Sequence, residues 1–178
     1  MTRLIAIVGP SGAGKDTLIA GAIAARPEIR LVRRVISRPA AAGGEDYEGV
    51  SEVEFARRRA AGDFALDWQA HGLHYGIPKA ALAQGGDVAF NGSRAALPIA
   101  LQRFPDLKVI LITAPDAILA QRLAERGREA AADVQQRLAR AAFTLPDGVS
   151  AEVVVNDTTL EVGIARLLAA LQPERAAR

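Results

Sequence analysis

The sequence predicts an α/β fold built on a mostly parallel sheet. Two observations carry that expectation. Strand-like and helix-like segments alternate along the chain, as they do where each strand is followed by a crossover helix. In addition, an apolar strand signal at residues 4–8 runs directly into Gly9-Pro10-Ser11-Gly12-Ala13-Gly14, with a helix signal from Lys15 to Ala25 behind it. The other elements follow in order. Residues 31–36 read as a second strand. Ser51-Glu52-Val53-Glu54 is a capping box, so a helix should start near Glu52 and stop at Gly62. Segments 64–70 and 73–75 read as short strands around a turn at Gly72, and 87–90 and 109–113 as further strands. Segments 115–125 and 133–142 read as helices, 152–155 as the last core strand and 160–171 as the closing helix. The Ala/Gly-rich stretches 40–44 and 127–132 are mobile-loop candidates.

Composition narrows the function classes. The chain has 178 residues, half of them hydrophobic, which is the usual size of one domain with a proper core. No apolar run approaches the roughly 20 residues that span a bilayer, and the N-terminus lacks a signal-peptide cleavage site. The expected compartment is the cytoplasm, with no membrane partner. Cysteine is absent, which excludes disulfides and thiolate metal sites. A net charge of +2 argues against a nucleic-acid partner. Lys15, Lys79 and Lys108 are the only lysines, and all other basic residues are arginines, whose planar fork suits phosphate oxygens. A GC-rich coding bias explains the same composition. Arg57, Arg58 and Arg59 read as a solvated helix face.

The run from Gly9 to Lys15 matches GxxxxGK in its required context, between an apolar strand and a helix. Gly9, Pro10, Ser11, Gly12, Ala13 and Gly14 let backbone N–H groups turn inward around a phosphate, and the helix N-terminus adds its positive end. Lys15 should reach the β- and γ-phosphates of ATP. The next position is Asp16, where Ser or Thr is usual, and Thr17 follows. Thr17 offers a hydroxyl to Mg²⁺; alternatively Asp16 holds a magnesium-bound water or simply complements the helix dipole. The expected fold is therefore a P-loop NTPase.

Beyond the loop, the chain resembles the guanylate kinases over nearly its whole length. The segment Gly62-Asp63-Phe64-Ala65-Leu66-Asp67-Trp68-Gln69-Ala70-His71-Gly72-Leu73-His74-Tyr75-Gly76-Ile77 fits that family's acceptor segment. Arg122-Leu123-Ala124-Glu125-Arg126-Gly127, followed by Arg137-Leu138, fits its lid. The resemblance implies a nucleoside monophosphate kinase-like three-layer fold with an acceptor-binding insertion and a lid. On this division, one domain over 1–178 has its core at 1–36, 87–126 and 143–178, its acceptor region at 37–86 and its lid at 127–142. It also implies that Arg38, Tyr47 and Tyr75 grip the acceptor phosphate, and that Arg126 and Arg137 act with Lys15 on the transferring group. Closure of segments 127–132 and 38–62 over the substrates is expected, since the reaction must exclude water. Asn156 matches an asparagine beside the adenine of ATP, although Asp157 or Thr158 capping the closing helix is an equal alternative for this stretch.

The base-handling positions depart from that family. Its guanine-binding glutamate falls on Leu66, its hydroxyl residue after Tyr-Gly on Ile77, and a strand serine on Arg34. These changes, with Gly14-Lys15-Asp16, Arg38-Pro39-Ala40, Gly43-Gly44-Glu45-Asp46, the segment from Trp68 to Pro78 and Asn91-Gly92-Ser93-Arg94, resemble the guanylate-kinase-like phosphokinases of phosphonate catabolism that act on ribose 1,5-bisphosphate. That resemblance implies transfer from ATP to ribose 1,5-bisphosphate, yielding 5-phosphoribosyl 1-diphosphate and ADP, with Mg²⁺ as cofactor. Arg33, Arg34 and Arg94 suit the second acceptor phosphate, with Asn91 beside them. His71 and His74 either bind phosphate or ribose hydroxyls or are structural. The competing expectations are a guanylate kinase acting on GMP and a non-catalytic binding module. The oligomeric state is open, a homodimer being one option.

Overall fold

The computed structural model describes residues 2–39, 45–125 and 144–173. It divides into two compact units. Unit 1 comprises Met1–Val8, Glu28–Val109 and Leu145–Ser150; unit 2 comprises Gly9–Pro27, Ile110–Thr144 and Ala151–Arg178.

Unit 1 opens with β1, Thr2–Val8. Every residue from Leu4 to Val8 is buried, as a strand covered on both faces requires. Strand β1 pairs in parallel with β7, Gly86–Asn91, placing Leu4 beside Val88 and Ile7 beside Asn91. Arg3 and Asp87, neighbours in that register, form a two-pronged ion pair at 2.9 and 2.5 Å. On the other side of β7 lies β2, Arg30–Leu31, also parallel.

A second sheet has the order β4-β3-β6-β5: β3 is Arg34–Ile36, β4 Tyr47–Gly49, β5 Phe64–Ala70 and β6 Leu73–Pro78. The expected single strand at 31–36 is therefore two strands in two sheets. The Val32 N–H still bonds to Ala89 O at 2.8 Å, holding the chain to β7. Three residues later Val35 belongs to a different core, packed with Phe55 and Phe64. Two apolar cores pull on one apolar run, and the break falls at the arginines between them.

Helix α2, Glu52–Ala60, starts where its capping signal lies, but the box is made from one side. Ser51 Oγ accepts from the Glu54 N–H at 3.1 Å, whereas the Glu54 carboxylate turns to Arg57. Nor are the three arginines uniformly solvated. Arg58 is largely covered, bonds Glu48 at 2.8 Å and lies 5.5 Å over the Phe64 ring. Unit 1 also holds elements the sequence reading lacks: β4, the short α3 (Lys79–Leu82), and α4 (Leu97–Arg103) behind a 3₁₀ turn at Arg94–Ala96. Pro98 in its first turn marks α4 in retrospect.

Unit 2 pairs β8, Lys108–Thr113, in parallel with β9, Glu152–Val155, with Ile110 beside Glu152. Its helices are α1 (Lys15–Ala25), α5 (Asp116–Glu125) and α6 (Leu160–Ala170). Helices α1 and α6 approach closely through glycines. A Cβ on Gly21 would lie 2.3 Å from Ile164 Cδ1, and one on Gly163 2.8 Å from Leu18 Cδ2. The expected helix at 133–142 lies outside the described residues, as do both mobile-loop candidates. Among the described residues no helix is long and apolar enough to cross a membrane.

Candidate active site

The donor-side residues belong to unit 2. The glycine loop leaves Gly9 against β8, where a Cβ would stand 2.1 Å from Ile112 O. It then turns so that the Ala13 N–H bonds Pro10 O at 3.3 Å. Gly14 has φ +80° and precedes Lys15, the first residue of α1. A side chain there would be strained and would meet Asn156 Nδ2 at 2.6 Å. The loop is clamped by its neighbours. Buried Asn156 donates Nδ2–H to Ala13 O at 2.8 Å. Arg122, on α5, reaches Ala13 O at 3.3 Å and Gly12 O at 3.5 Å through Nη1, and Asn156 O at 3.2 Å through Nη2. Binding these carbonyls fixes the peptide planes of the loop, which an inward-facing set of N–H donors needs.

Asn156 thus has a structural partner in the loop, through one N–H of its amide. The cap of α6 is neither Asp157 nor Thr158 but Thr159, whose hydroxyl accepts the Val162 N–H at 3.4 Å. Asp157 instead pairs with Arg166 at 2.7 Å. Asp16 and Thr17 are both exposed on the first turn of α1. Arg122 is the residue sequence reasoning passed over; its signal was its place at the head of the lid motif. Arg126 and Arg137 lie outside the described residues.

The predicted acceptor-side residues belong to unit 1, and Arg34 and Tyr75 lie on one face of the second sheet. Partners in an antiparallel register share a face. Ile36 opposes Tyr75, Trp68 opposes Tyr75 and Leu66 opposes Ile77. The other face carries Val35, Gly76 and Phe64 beneath α2. A bulge between Phe64 and Leu66 makes this arrangement possible, since the extra residue moves Leu66 and Trp68 to the face opposite Phe64. Arg34, two residues before Ile36, shares that face, its guanidinium 5.0 Å from the Tyr75 ring centre and 5.9 Å from that of Trp68. Trp68 and Tyr75 stack at 5.4 Å, nearly parallel.

The predicted phosphate grip is distributed around this face. The Tyr47 hydroxyl donates to Pro39 O at 2.5 Å, and Arg38 lies 4.4 Å over the Tyr47 ring. Asn91, at the end of β7, bonds Glu45, which also accepts from Arg34. Arg94 opens the 3₁₀ turn. Arg33 is exposed and paired with Asp46 at 2.9 Å. His71 occupies the hairpin turn with φ +52°. His74 stacks 5.4 Å from Phe55, which puts it on the α2 side of the sheet, away from Tyr75. Leu66 and Ile77 are each 1% exposed and form a buried apolar cross-strand pair.

No protein-family model matches the chain. It is 50% identical over 177 residues to the ribose 1,5-bisphosphate phosphokinase PhnN of Ruegeria sp., covering 97% of this chain and 93% of that protein. It is 48% identical over 182 residues to the enzyme of the same name from Pseudomonas fluorescens, covering 95% and 94%. The chain belongs to the ribose 1,5-bisphosphate phosphokinase family. Family members also occur within longer proteins. A bifunctional ribose 1,5-bisphosphokinase-thymidine phosphorylase of Cupriavidus pinatubonensis is 47% identical over 171 residues, and this chain spans about 28% of its length. Among solved structures, a guanylate kinase from Anaplasma phagocytophilum superposes with a TM-score of 0.71 at 20% identity, covering 96% of this chain and 84% of that one. A sugar kinase from Janibacter superposes at 0.53 with 18% identity, covering 96% and 95%. These likenesses establish the P-loop NTPase fold class.

Proposed function

We propose that the chain transfers the γ-phosphoryl group of ATP to ribose 1,5-bisphosphate, releasing ADP and 5-phosphoribosyl 1-diphosphate, in the cytoplasm and as part of phosphonate catabolism. The observation that carries this reading is the buried Leu66–Ile77 pair in a chain that also keeps the GxxxxGK sequence. A purine acceptor would leave its polar edge unpaired against that pair, whereas a sugar phosphate has no base to bury. The names of the relatives that the chain matches over nearly their whole length agree with it.

The chemistry asks for positioning and charge neutralisation more than for covalent assistance. An acceptor phosphate oxygen, already ionised at neutral pH, attacks the γ-phosphorus; the bond to the β,γ-bridging oxygen breaks and ADP leaves with its electrons. The loop N–H groups and Lys15 hold the donor phosphates, with Asn156 and Arg122 keeping the loop in shape. Arg38, Tyr47 and Tyr75 hold the acceptor phosphate, while Arg126 and Arg137 offset charge on the transferring group. Mg²⁺ would be held by the Thr17 hydroxyl or, through water, by Asp16, and would neutralise the phosphate oxygens.

A coupled ADP-release assay with ribose 1,5-bisphosphate and GMP tests the proposal. A kcat/KM much higher for the sugar bisphosphate, with 5-phosphoribosyl 1-diphosphate as product, is expected. A preference for GMP would return the chain to guanylate kinase activity.

A further inference from the structure

The acceptor-side face of unit 1 contains a polar cluster for which the proposed phosphoryl transfer has no use. Arg34, 8% exposed, gives Nε to Glu45 Oε1 at 2.8 Å and Nη2 to the same oxygen. Asn91, also 8% exposed, gives Nδ2 to Glu45 Oε2 at 2.7 Å. The Arg34 charge is therefore already neutralised inside the chain. A second phosphate arriving there would have to displace one carboxylate oxygen while being repelled by the other. Arg34 is thus a poor phosphate anchor, whatever its charge suggests.

The same cluster suits a hydroxyl. A sugar hydroxyl is a donor and an acceptor at once. The Glu45 carboxylate can accept a hydrogen bond from it, and the Arg34 guanidinium and Asn91 amide, each bonded to one carboxylate oxygen, hold that carboxylate in place. The part-exposed Tyr75 ring, stacked on buried Trp68, offers an apolar edge for the C–H side of a sugar. The indole Nε1–H of Trp68, on the same sheet face as Arg34, is buried without a hydrogen-bond partner among the described residues. Buried donors of that kind are normally paired.

We infer that Glu45, oriented by Arg34 and Asn91, is the specificity-determining carboxylate that accepts a hydrogen bond from a ring hydroxyl of the pentose acceptor. The inference rests on the proposed sugar-phosphate acceptor and deepens it. A site built to bond a hydroxyl rejects the analogue lacking it, by roughly 10⁴–10⁵ in fully closed sites. With Glu45 only part-buried, a preference of about 10² is the corresponding expectation here.

The test measures kcat/KM by ADP release for ribose 1,5-bisphosphate and its 2-deoxy and 3-deoxy analogues, with wild type, Glu45→Gln and Glu45→Asp, and records the KM for ATP and the circular dichroism of each. Wild type should prefer the ribose compound over at least one deoxy analogue by about 10²-fold. Glu45→Gln should lose most of that preference by slowing on the ribose compound alone, with the ATP KM unchanged, and Glu45→Asp should keep part of it. Equal use of both deoxy analogues by wild type overturns the inference even if Glu45→Gln fails to fold. A preference retained by folded Glu45→Gln overturns it too, and if the bisphosphate KM falls in that variant, Glu45 is instead a stand-in anion masking Arg34. No ADP release by wild type with ribose 1,5-bisphosphate, a separate readout, removes the acceptor assignment and the inference with it.

Discussion

Single residues set the donor side, and each does so through charge or a backbone bond that has a measurable consequence. Lys15 is the side-chain cation of the glycine loop. Replacing it with alanine should lower turnover by roughly 10²–10⁴, the usual cost of losing an electrostatic contact to the transition state, while the protein stays folded. ADP release by the purified variant checks this; near-normal turnover would remove Lys15 from the reaction. Asn156 acts at one remove. Its amide makes the shortest side-chain bond to the loop, 2.8 Å to Ala13 O, from a buried position. Asn156→Ala should therefore lower stability by about 1–3 kcal/mol in denaturant melts and raise the KM for ATP more than it lowers kcat. A rise in KM with unchanged stability would point instead to direct nucleotide contact.

At the scale of elements, the helix ends explain which polar residues are structural. Helix α2 depends on Ser51, so Ser51→Ala should cost about 0.5–2 kcal/mol in thermal unfolding. Of the arginines on that helix, Arg58→Ala should destabilise more than Arg57→Ala. Arg58 packs its guanidinium over Phe64 and bonds Glu48, while Arg57 holds an exposed ion pair within its own turn. Near the start of α6, a hydrogen bond from Arg166, ahead of the opposing effect of desolvation, holds the Asp157 carboxyl below its usual pKa. A depressed carboxyl pKa adds stability above the unfolded value and loses it as pH falls through the folded one. The stability difference between wild type and Asp157→Asn should therefore be present at neutral pH and begin to shrink only as pH falls below about 4, toward the depressed folded-state value. A difference that persists into acid would assign the effect to packing.

For the whole molecule, the testable quantity is the coupling of folding to the proposed ligands. If ATP with Mg²⁺ binds the folded chain alone, as proposed, then at about 100 times its Kd it should stabilise the protein by about 2.7 kcal/mol. Adding a chelator should shrink the accompanying rise in Tm and abolish ADP release, with Mg²⁺ restoring both. A thermal shift and turnover indifferent to the chelator would show that the loop handles ATP without a divalent cation.

What the sequence determined by itself is what depends on short spacings. The strand–loop–helix order around Lys15, the start of α2 after Ser51 and the hairpin through His71 and Gly72 all follow from residues within a few positions of one another. The apolar replacements at Leu66 and Ile77 were legible only against a family pattern, yet their meaning needed the register that sets them side by side in the core. Contacts between distant residues were not legible. Val35 abandons the sheet that holds Val32 because its packing partners lie 20 and 29 positions further on, at Phe55 and Phe64. Glu45 reads as one acidic residue in a loop until the fold brings Asn91, 46 positions away, against it. The bond from the Asn156 amide to Ala13 joins residues 143 positions apart and shows in no local pattern. Local spacing fixes backbone hydrogen bonds and caps, because their partners are chain neighbours. Which polar side chain satisfies which buried group is decided by tertiary structure, since only the closed chain takes those groups away from water and obliges them to pair.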